Sequence, residues 1–265
     1  MAQIGFIGMG NMAGAIMRGI LKSFAPEEIL FSDVNQEQME KVTAQTGVSH
    51  VSSNVECVKQ VKYLILAVKP QMLPGVFAEI KDAVTKEHVV ISIAAGYGIA
   101  DLAAGLGEQA RIVRVMPNTP AMVGEGMSGV SYDAALFTDE EKEMVRTIFT
   151  SIGKMELVDE KMMDVVASAS GCSPAYVYMF IEALADGCVK NGLPRKMAYQ
   201  MAAQAVLGSA KMVLETGLHP GELKDMVCSP GGTTIEGLAA LEECGFRGAI
   251  IKACDANFQK NKLLK

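Results

Sequence analysis

The stretch Ile4-Gly5-Phe6-Ile7-Gly8-Met9-Gly10-Asn11-Met12-Ala13 decides the fold of this 265-residue chain. Its first residues suit a buried strand, and apolar residues at helical spacing begin at Met12. The pattern GxGxxA therefore stands where a strand turns into a helix. Gly8 permits the tight turn, Gly10 lets a ligand approach the backbone, and the small Ala13 lets the helix pack on the strand.

A helix that begins in this way presents free amides and the positive end of its dipole, which together favour a pyrophosphate group. The motif therefore predicts a site for a nicotinamide dinucleotide, with a plain glycine turn as the alternative. The expected cofactor contacts in the turn are Ile7, Gly8, Met9, Gly10, Asn11 and Met12.

Asp33 follows the next apolar run and lies 25 residues after Gly8. A carboxylate at this position can accept hydrogen bonds from both hydroxyls of the adenosine ribose, and it repels a 2′-phosphate, which favours NAD over NADP. The alternative is that Asp33 caps the following helix, because Asn35 and Gln36 come next and helices begin at such residues. Both interpretations stay open at this stage.

Further candidate contacts stand where later strands end, since open α/β sheets bind ligands at the carboxyl ends of their strands. Small residues and a chain-breaking proline suit backbone that lies against a nucleotide. These contacts are Ala67, Val68, Lys69 and Pro70 after the third clear strand, Ile93, Ala94 and Ala95 after the next, and Asn54. For Lys69 alone, a solvated surface lysine is the open alternative.

The apolar runs and the helical patterns alternate up to about residue 158, as in a doubly wound parallel sheet. The candidate strands are Gln3 to Gly8, Ile29 to Ser32, Tyr63 to Val68, Val89 to Ala94 and Arg111 to Met116. After Asp159 the strand signals stop, and glycines and prolines mark helix ends. We predict an α/β protein with an N-terminal Rossmann-type sheet (residues 1–160) followed by an all-α C-terminal dimerisation domain (residues 161–265).

The helix predicted from Pro194 to Thr216 is apolar around most of its circumference, so a small helical domain cannot cover it alone. A second copy of the chain is the simplest cover, because symmetric homodimers are the commonest oligomers. We therefore expect a homodimer.

Composition excludes several classes of function. The net charge of −6 and the pI near 5.2 leave no basic face for nucleic acid. The apolar stretch from Ala198 to Leu214 contains Gln200, Gln204 and Lys211, so no membrane span is expected. Six cysteines without CxxC spacing suggest reduced thiols and a cytoplasmic protein, and three scattered histidines offer no metal site.

Ser229-Pro230-Gly231-Gly232-Thr233-Thr234 is the most distinctive segment of the second half. The Ser-Pro-Gly-Gly turn cannot continue a helix, and Thr233 to Glu236 has the T-x-x-E spacing of a capping box that opens the next helix. The bare amides of such a helix start would bind a small anion, above all a carboxylate. An ordinary capped turn is the alternative.

This segment resembles the signature of the pyrroline-5-carboxylate reductases. Other stretches fall in that family's order over essentially the whole chain: Phe6 to Met12, Ala67 to Pro70, Met116-Pro117-Asn118-Thr119-Pro120, and Gly171-Cys172-Ser173-Pro174-Ala175-Tyr176. The resemblance implies reduction of 1-pyrroline-5-carboxylate to L-proline with NADPH or NADH, the last step of proline synthesis. It also implies interleaved helical domains in a dimer, and assembly of dimers into a decamer.

With that substrate, the carboxylate is expected on the amides of Gly232, Thr233 and Thr234, and the Thr234 hydroxyl is expected to bond the ring nitrogen. Thr234 and Ser229 are the candidate catalytic residues, and Asn118 is a further candidate for binding the substrate. One departure concerns Asp33, because family members that prefer NADP have Ser, Thr or Asn near the second strand end. The preferred cofactor therefore stays open.

Two other functions compete with this interpretation. A β-hydroxyacid dehydrogenase would use a lysine early in the first long helix of the second domain, but there is no lysine from Ser173 to Val189. A regulatory protein that binds the dinucleotide without turnover has no need of the hydroxyl-rich turn. We therefore predict an oxidoreductase.

Overall fold

The computed structural model describes residues 3–263, which pack as two compact units. Residues 3–172 together with residues 258–263 form the first unit, and residues 173–257 form the second.

The first unit is built on a sheet with the strand order β3-β2-β1-β4-β5-β6-β7-β8. All neighbouring strands run parallel except β6 and β7, which are antiparallel. The strands are β1 (Ile4–Ile7), β2 (Ile29–Ser32), β3 (Ser49–His50), β4 (Tyr63–Leu66), β5 (Val89–Ser92), β6 (Arg111–Met116), β7 (Gly126–Ser131) and β8 (Gly153–Leu157). The first six follow the order 3-2-1-4-5-6 of a dinucleotide-binding sheet, which confirms the predicted fold class.

Helices cover both faces of this sheet. They are α1 (Asn11–Ile20), α2 (Gln36–Thr46), α3 (Asn54–Gln60), α4 (Leu73–Ile80), α5 (Ile99–Leu106), α6 (Asp139–Thr150) and α7 (Met163–Val166). Alternate residues of a central strand enter different cores: Ile65 packs with α1 and α6, whereas Leu64 and Leu66 pack with α3, α4 and α5. Burial on both faces explains the continuous apolar runs that predicted these strands.

Strands β3, β7 and β8 are the ones that the sequence did not reveal. Strand β3 is only two residues long, and β7 contains two glycines and two serines instead of an apolar run. Strand β8 lies at the edge of the sheet and is largely exposed, so its sequence needs little apolar character. The predicted ends of β1, β4 and β5 were also too late, because the chain leaves the sheet after Ile7, Leu66 and Ser92.

The division between the units differs from the boundary predicted after residue 160. Residues 160–172 pack on the first unit, where Met163 and Ala167 are buried with Met116. The Asp164 carboxylate accepts hydrogen bonds from Arg114 at 3.2 Å and from the Asn261 amide at 3.1 Å, which brings the end of the chain into the same unit. The strand pattern in the sequence therefore stops about twelve residues before residue 172, where this continuous part of the first unit ends.

The second unit contains helices only, as predicted. They are α8 (Ser173–Lys190), α9 (Arg195–Thr216), α10 (Pro220–Met226), α11 (Thr233–Glu243) and α12 (Phe246–Lys262), the last of which ends in the first unit. Within the unit only three apolar residues are fully buried, all of them alanines (Ala185, Ala198 and Ala202). Large apolar side chains are instead exposed, including Met201 at 60% and Leu214 at 82%. The unit therefore lacks a core of its own size.

Among the residues that the structure describes, no helix combines the length and the apolar character that crossing a membrane requires.

A buried carboxylate joins α6 to the sheet. Glu141 is 2% exposed, and it accepts hydrogen bonds from Arg111 at 2.8 and 3.0 Å, from Lys62 at 2.9 Å and from the Thr138 amide at 3.0 Å. Burial acts to raise the pKa of Glu141, but these donors outweigh it and lower the pKa from 4.5 to about 2. The ionised carboxylate therefore stabilises the folded state.

We expect Glu141→Gln to lower the free energy of unfolding at pH 7 by about 3 kcal/mol. Because the folded-state pKa lies below the ordinary value, the stabilisation is complete above about pH 4.5 and is lost as the pH falls towards 2. Urea unfolding of both proteins across this range would measure the difference. Glu143→Gln is the matched control, because Glu143 is 70% exposed and 3.8 Å from Arg146. A difference that does not change with pH would contradict this role of Glu141.

Candidate active site

The turn after β1 requires glycine at position 8. Gly8 has a φ of +90°, and a Cβ atom there would lie 2.8 Å from Val68 Cγ1 and 3.0 Å from the Ala67 carbonyl oxygen. The end of β1 therefore approaches the end of β4 more closely than a side chain allows. This is the constraint that the glycine pattern predicted.

Helix α1 begins beyond this turn with its amides uncapped by side chains. Gly10 is the N-cap, no side chain accepts from the first turn, and the first turn contains no acidic residue. A Cβ atom on Gly10 would meet no protein atom within 4 Å, so there is room for a ligand at the backbone. The first turn thus combines free donors, a favourable dipole and open space, which fits a pyrophosphate.

Helix α5 of the same unit differs from α1, because side-chain carboxylates accept hydrogen bonds from its first amides. It also has a glycine N-cap, Gly98, but the Gly98 amide donates to Asp101 at 2.9 Å and the Ile99 amide donates to Glu160. Two carboxylates thus occupy the start of α5, whereas the start of α1 remains available to an anion.

Asp33 binds the glycine-rich turn and does not cap helix α2. Its Oδ2 accepts the Met9 amide at 2.6 Å, and its Oδ1 accepts the Asn35 amide at 2.9 Å. The cap of α2 is Asn35, whose side chain accepts the Gln38 amide at 3.0 Å. The capping interpretation of Asp33 is therefore wrong, and its carboxylate lies at the dinucleotide turn.

A cavity of about 480 Å³ opens at this edge of the sheet. Nine of the predicted cofactor contacts line it: Ile7, Gly8, Met9, Gly10, Asp33, Asn54, Ala67, Val68 and Lys69. Six more residues line it that the sequence analysis missed: Val34, Gln71, Met72, Gly75, Val76 and Glu79. Five of these six recur at helical spacing from residue 71 to residue 79, along the 3-10 turn Pro70–Met72 and α4, and this spacing is the signal that could have predicted them.

The other predicted cofactor contacts lie outside this cavity. Asn11 and Met12 are in the first turn of α1, and Pro70 begins a short 3-10 turn. Residues 93–95 follow β5, and among them Ala95 packs with Met116 at the end of β6. In a doubly wound sheet the second nucleotide binds on this side, so their role as cofactor contacts stays a prediction.

The Asn118 side chain is already bound within the first unit. It is 8% exposed, its Nδ2 donates to the Ser170 carbonyl at 3.0 Å, and its Oδ1 accepts the Met127 amide at 2.8 Å. These bonds attach the loop after β6 to the π-helical segment Ala167–Cys172. Asn118 therefore has a structural role, and these hydrogen bonds do not support the predicted contact of its side chain with the substrate.

In the second unit, Ser229 to Gly232 form a tight turn before α11. The Gly232 amide donates to the Ser229 carbonyl at 3.0 Å, and Gly231 has a φ of +66° after Pro230, the pattern of a type II turn. Gly232 is the N-cap of α11, and no side chain caps that helix. The predicted capping box of Thr233 and Glu236 is therefore wrong, because the helix begins at Thr233, one residue earlier than that box requires.

This arrangement divides the predicted substrate contacts. The Gly232 amide is used in the turn, whereas the amides of Thr233 and Thr234 lie in the first turn of an 11-residue helix and have no capping side chain. Ser229, Thr233 and Thr234 are exposed in the chain as described. Glu236 is also in the first turn, so it contributes a nearby negative charge.

Two family models match the chain. The model described as "Pyrroline-5-carboxylate reductase dimerisation" matches residues 160–264, and the model described as "NADP oxidoreductase coenzyme F420-dependent" matches residues 3–96.

Similar proteins and solved structures extend over nearly the whole chain. Pyrroline-5-carboxylate reductase of Escherichia coli K12 is 47% identical over 99% of this chain and 98% of the relative, and that of Arabidopsis thaliana is 42% identical over 99% and 95%. The Plasmodium falciparum pyrroline carboxylate reductase with NADP bound has a TM-score of 0.89, with 34% identity over 99% of this chain and 98% of that chain. The Coxiella burnetii pyrroline-5-carboxylate reductase has a TM-score of 0.92, with 33% identity over 100% and 98%.

We expect Asp33→Ser to raise kcat/KM with NADPH relative to NADH by about 10-fold, because removing the carboxylate removes its repulsion of a 2′-phosphate. Asp33→Asn is the matched control: it also removes the charge but can still accept the Met9 amide, so it separates repulsion from loss of the turn contact. Steady-state rates with both nucleotides measure the ratio. If neither variant changes it, Asp33 only holds the turn.

Proposed function

Because this chain belongs to the pyrroline-5-carboxylate reductase family, we propose that the start of α11 holds the carboxylate of its substrate. The chain reduces the C=N bond of 1-pyrroline-5-carboxylate to L-proline with NAD(P)H, the last step of proline biosynthesis. The observation that carries the proposal is a helix that begins after a type II turn with no capping side chain.

The amides of Thr233 and Thr234 provide the contact with the carboxylate. Both belong to the first turn, where backbone N–H groups have no partner within the helix. The helix dipole adds to this attraction, and Glu236 in the same turn reduces it without removing the donors. Because the carboxylate is the same before and after the reaction, these contacts lower KM and leave kcat largely unchanged.

The Thr234 hydroxyl is proposed to bond the ring nitrogen. When bound, the reduced nicotinamide would supply a hydride to the carbon of the C=N bond, which is C2 of the pyrroline ring, since C5 carries the carboxylate. Protonation of the nitrogen makes this carbon the better hydride acceptor. The imine is basic enough to be protonated near neutral pH, so the protein needs to orient the ring and to hydrogen-bond the nitrogen. As the hydride adds, the nitrogen gains a lone pair to which the Thr234 hydroxyl would donate, so this hydrogen bond strengthens towards the amine and favours turnover. Ser229, the first residue of the turn before α11, is a further candidate for the same role.

We expect Thr234→Ala to lower kcat/KM for pyrroline-5-carboxylate by roughly 10- to 100-fold, the effect of one lost hydrogen bond to a charged group. The affinity for the nucleotide should stay nearly constant. Thr234→Ser is the matched control, because it keeps the hydroxyl and should recover most of the rate. Full activity of Thr234→Ala, or a proline analogue bound away from residues 229–234, would show that this turn is not the substrate site.

The protein is a homo-oligomer, and we propose a dimer joined through the helices of the second unit. The support is the small buried core of that unit and its exposed methionines and leucines, which an apolar interface would cover. Assembly of such dimers into a decamer, as the resemblance implies, is a further part of this proposal. We also propose a cytoplasmic location, which the six cysteines without CxxC spacing support.

We expect Met201→Lys to weaken the dimer, because this side chain is 60% exposed on α9 and a charge there would be buried in the interface. Leu136→Lys is the control, since Leu136 is 52% exposed on the first unit. Sedimentation velocity at micromolar concentration measures the outcome. A stable folded monomer of the unmodified protein would overturn the proposed dimer.

A further inference from the structure

A chain of hydrogen bonds connects β2 to α4 in the wall of the cofactor cavity. The Ser32 hydroxyl donates to Asn54 Oδ1 at 2.8 Å, and Asn54 Nδ2 donates to Glu79 Oε2 at 2.6 Å. The carboxylate determines the orientation of the amide, because only the NH2 group of Asn54 can donate to it. Asn54 and Glu79 both line the cavity that the glycine-rich turn also lines.

The second of these hydrogen bonds occupies a donor that a phosphate group would need. Glu79 accepts one Asn54 N–H, whereas the Ser32 hydroxyl that holds Asn54 is buried and does not line the cavity. Among the side chains that line the cavity, Lys69 is the one cation, whereas Asp33 and Glu79 are both carboxylates. The side chains of the wall therefore carry more negative than positive charge, which suits ribose hydroxyls better than a 2′-phosphate.

We propose that Glu79 is a specificity-determining residue that favours NADH over NADPH. It acts in two ways: its charge repels a 2′-phosphate, and its bond to Asn54 withdraws an amide donor from that phosphate. This inference rests on the proposed dinucleotide function and on the predicted contact of Asp33 with the adenosine ribose, which would put the adenosine end in this cavity. It differs from the role of Asp33, which follows the end of β2 and contacts the backbone of the turn, whereas Glu79 lies on α4.

The test is equilibrium binding of NADH and NADPH to Glu79→Gln. Titration calorimetry provides the two Kd values without any substrate; the chain contains no tryptophan as an optical reporter. Glu79 is exposed, so solvent screens its charge, and we expect its neutralisation to tighten NADPH relative to NADH by about 3- to 10-fold. The Kd for NADH should change less than 2-fold. Raising the salt concentration should reduce the preference for NADH over NADPH more in the unmodified protein than in the variant.

Glu108→Gln is the matched control, since Glu108 is an exposed acid outside the cavity, and it should leave both Kd values unchanged. An unchanged ratio in Glu79→Gln, or an equal change for both nucleotides, would overturn the inference. A failure of the proposed function would give a different result from a failure of the inference on Glu79. If both nucleotides bind with the predicted shift but pyrroline-5-carboxylate is not reduced, the inference on Glu79 stands and the proposed function is wrong.

Discussion

The close approach of β1 to β4 at Gly8 is the constraint on which the first unit depends. A side chain there would meet the Ala67 carbonyl, so only glycine lets the chain turn at this point. The turn sends α1 back across the sheet and directs its first amides to the edge where the strands end. The Met9 amide, held by Asp33, joins the same turn to the end of β2. One local geometry thus aligns three strand ends around one cavity.

Both proposed anion sites are helix starts with uncapped amides. Helices α1 and α11 each follow a glycine N-cap, Gly10 and Gly232, and neither start is capped by a side chain. A glycine N-cap is not sufficient, because α5 also begins at glycine and is closed by Asp101 and Glu160. What distinguishes the two candidate sites is therefore the lack of a competing carboxylate on the first amides.

The two units differ in how they are stabilised. In the first, apolar residues fill both sides of the sheet, and the buried Glu141 cluster attaches a helix to its strands. In the second, few side chains are buried, and the exposed apolar faces of the helices are available to another copy. The unit that carries the proposed substrate turn at Thr233 and Thr234 has little core of its own, so we expect its stability to depend on the proposed dimer.

The sequence by itself determined the five central strands, the glycine turn and the helical second half, and nine of the residues it predicted as cofactor contacts line one cavity. These depend on local periodicity and on backbone conformations that only glycine or proline adopts, which a short segment reveals. The tertiary structure alone decided that Asp33 holds Met9, that Asn118 is bound to Ser170 and that Glu79 enters the cavity wall. It also decided that residues 160–172 pack with the sheet. Each of these contacts joins residues more than twenty positions apart, and which distant segments meet is set by packing and not by any local pattern.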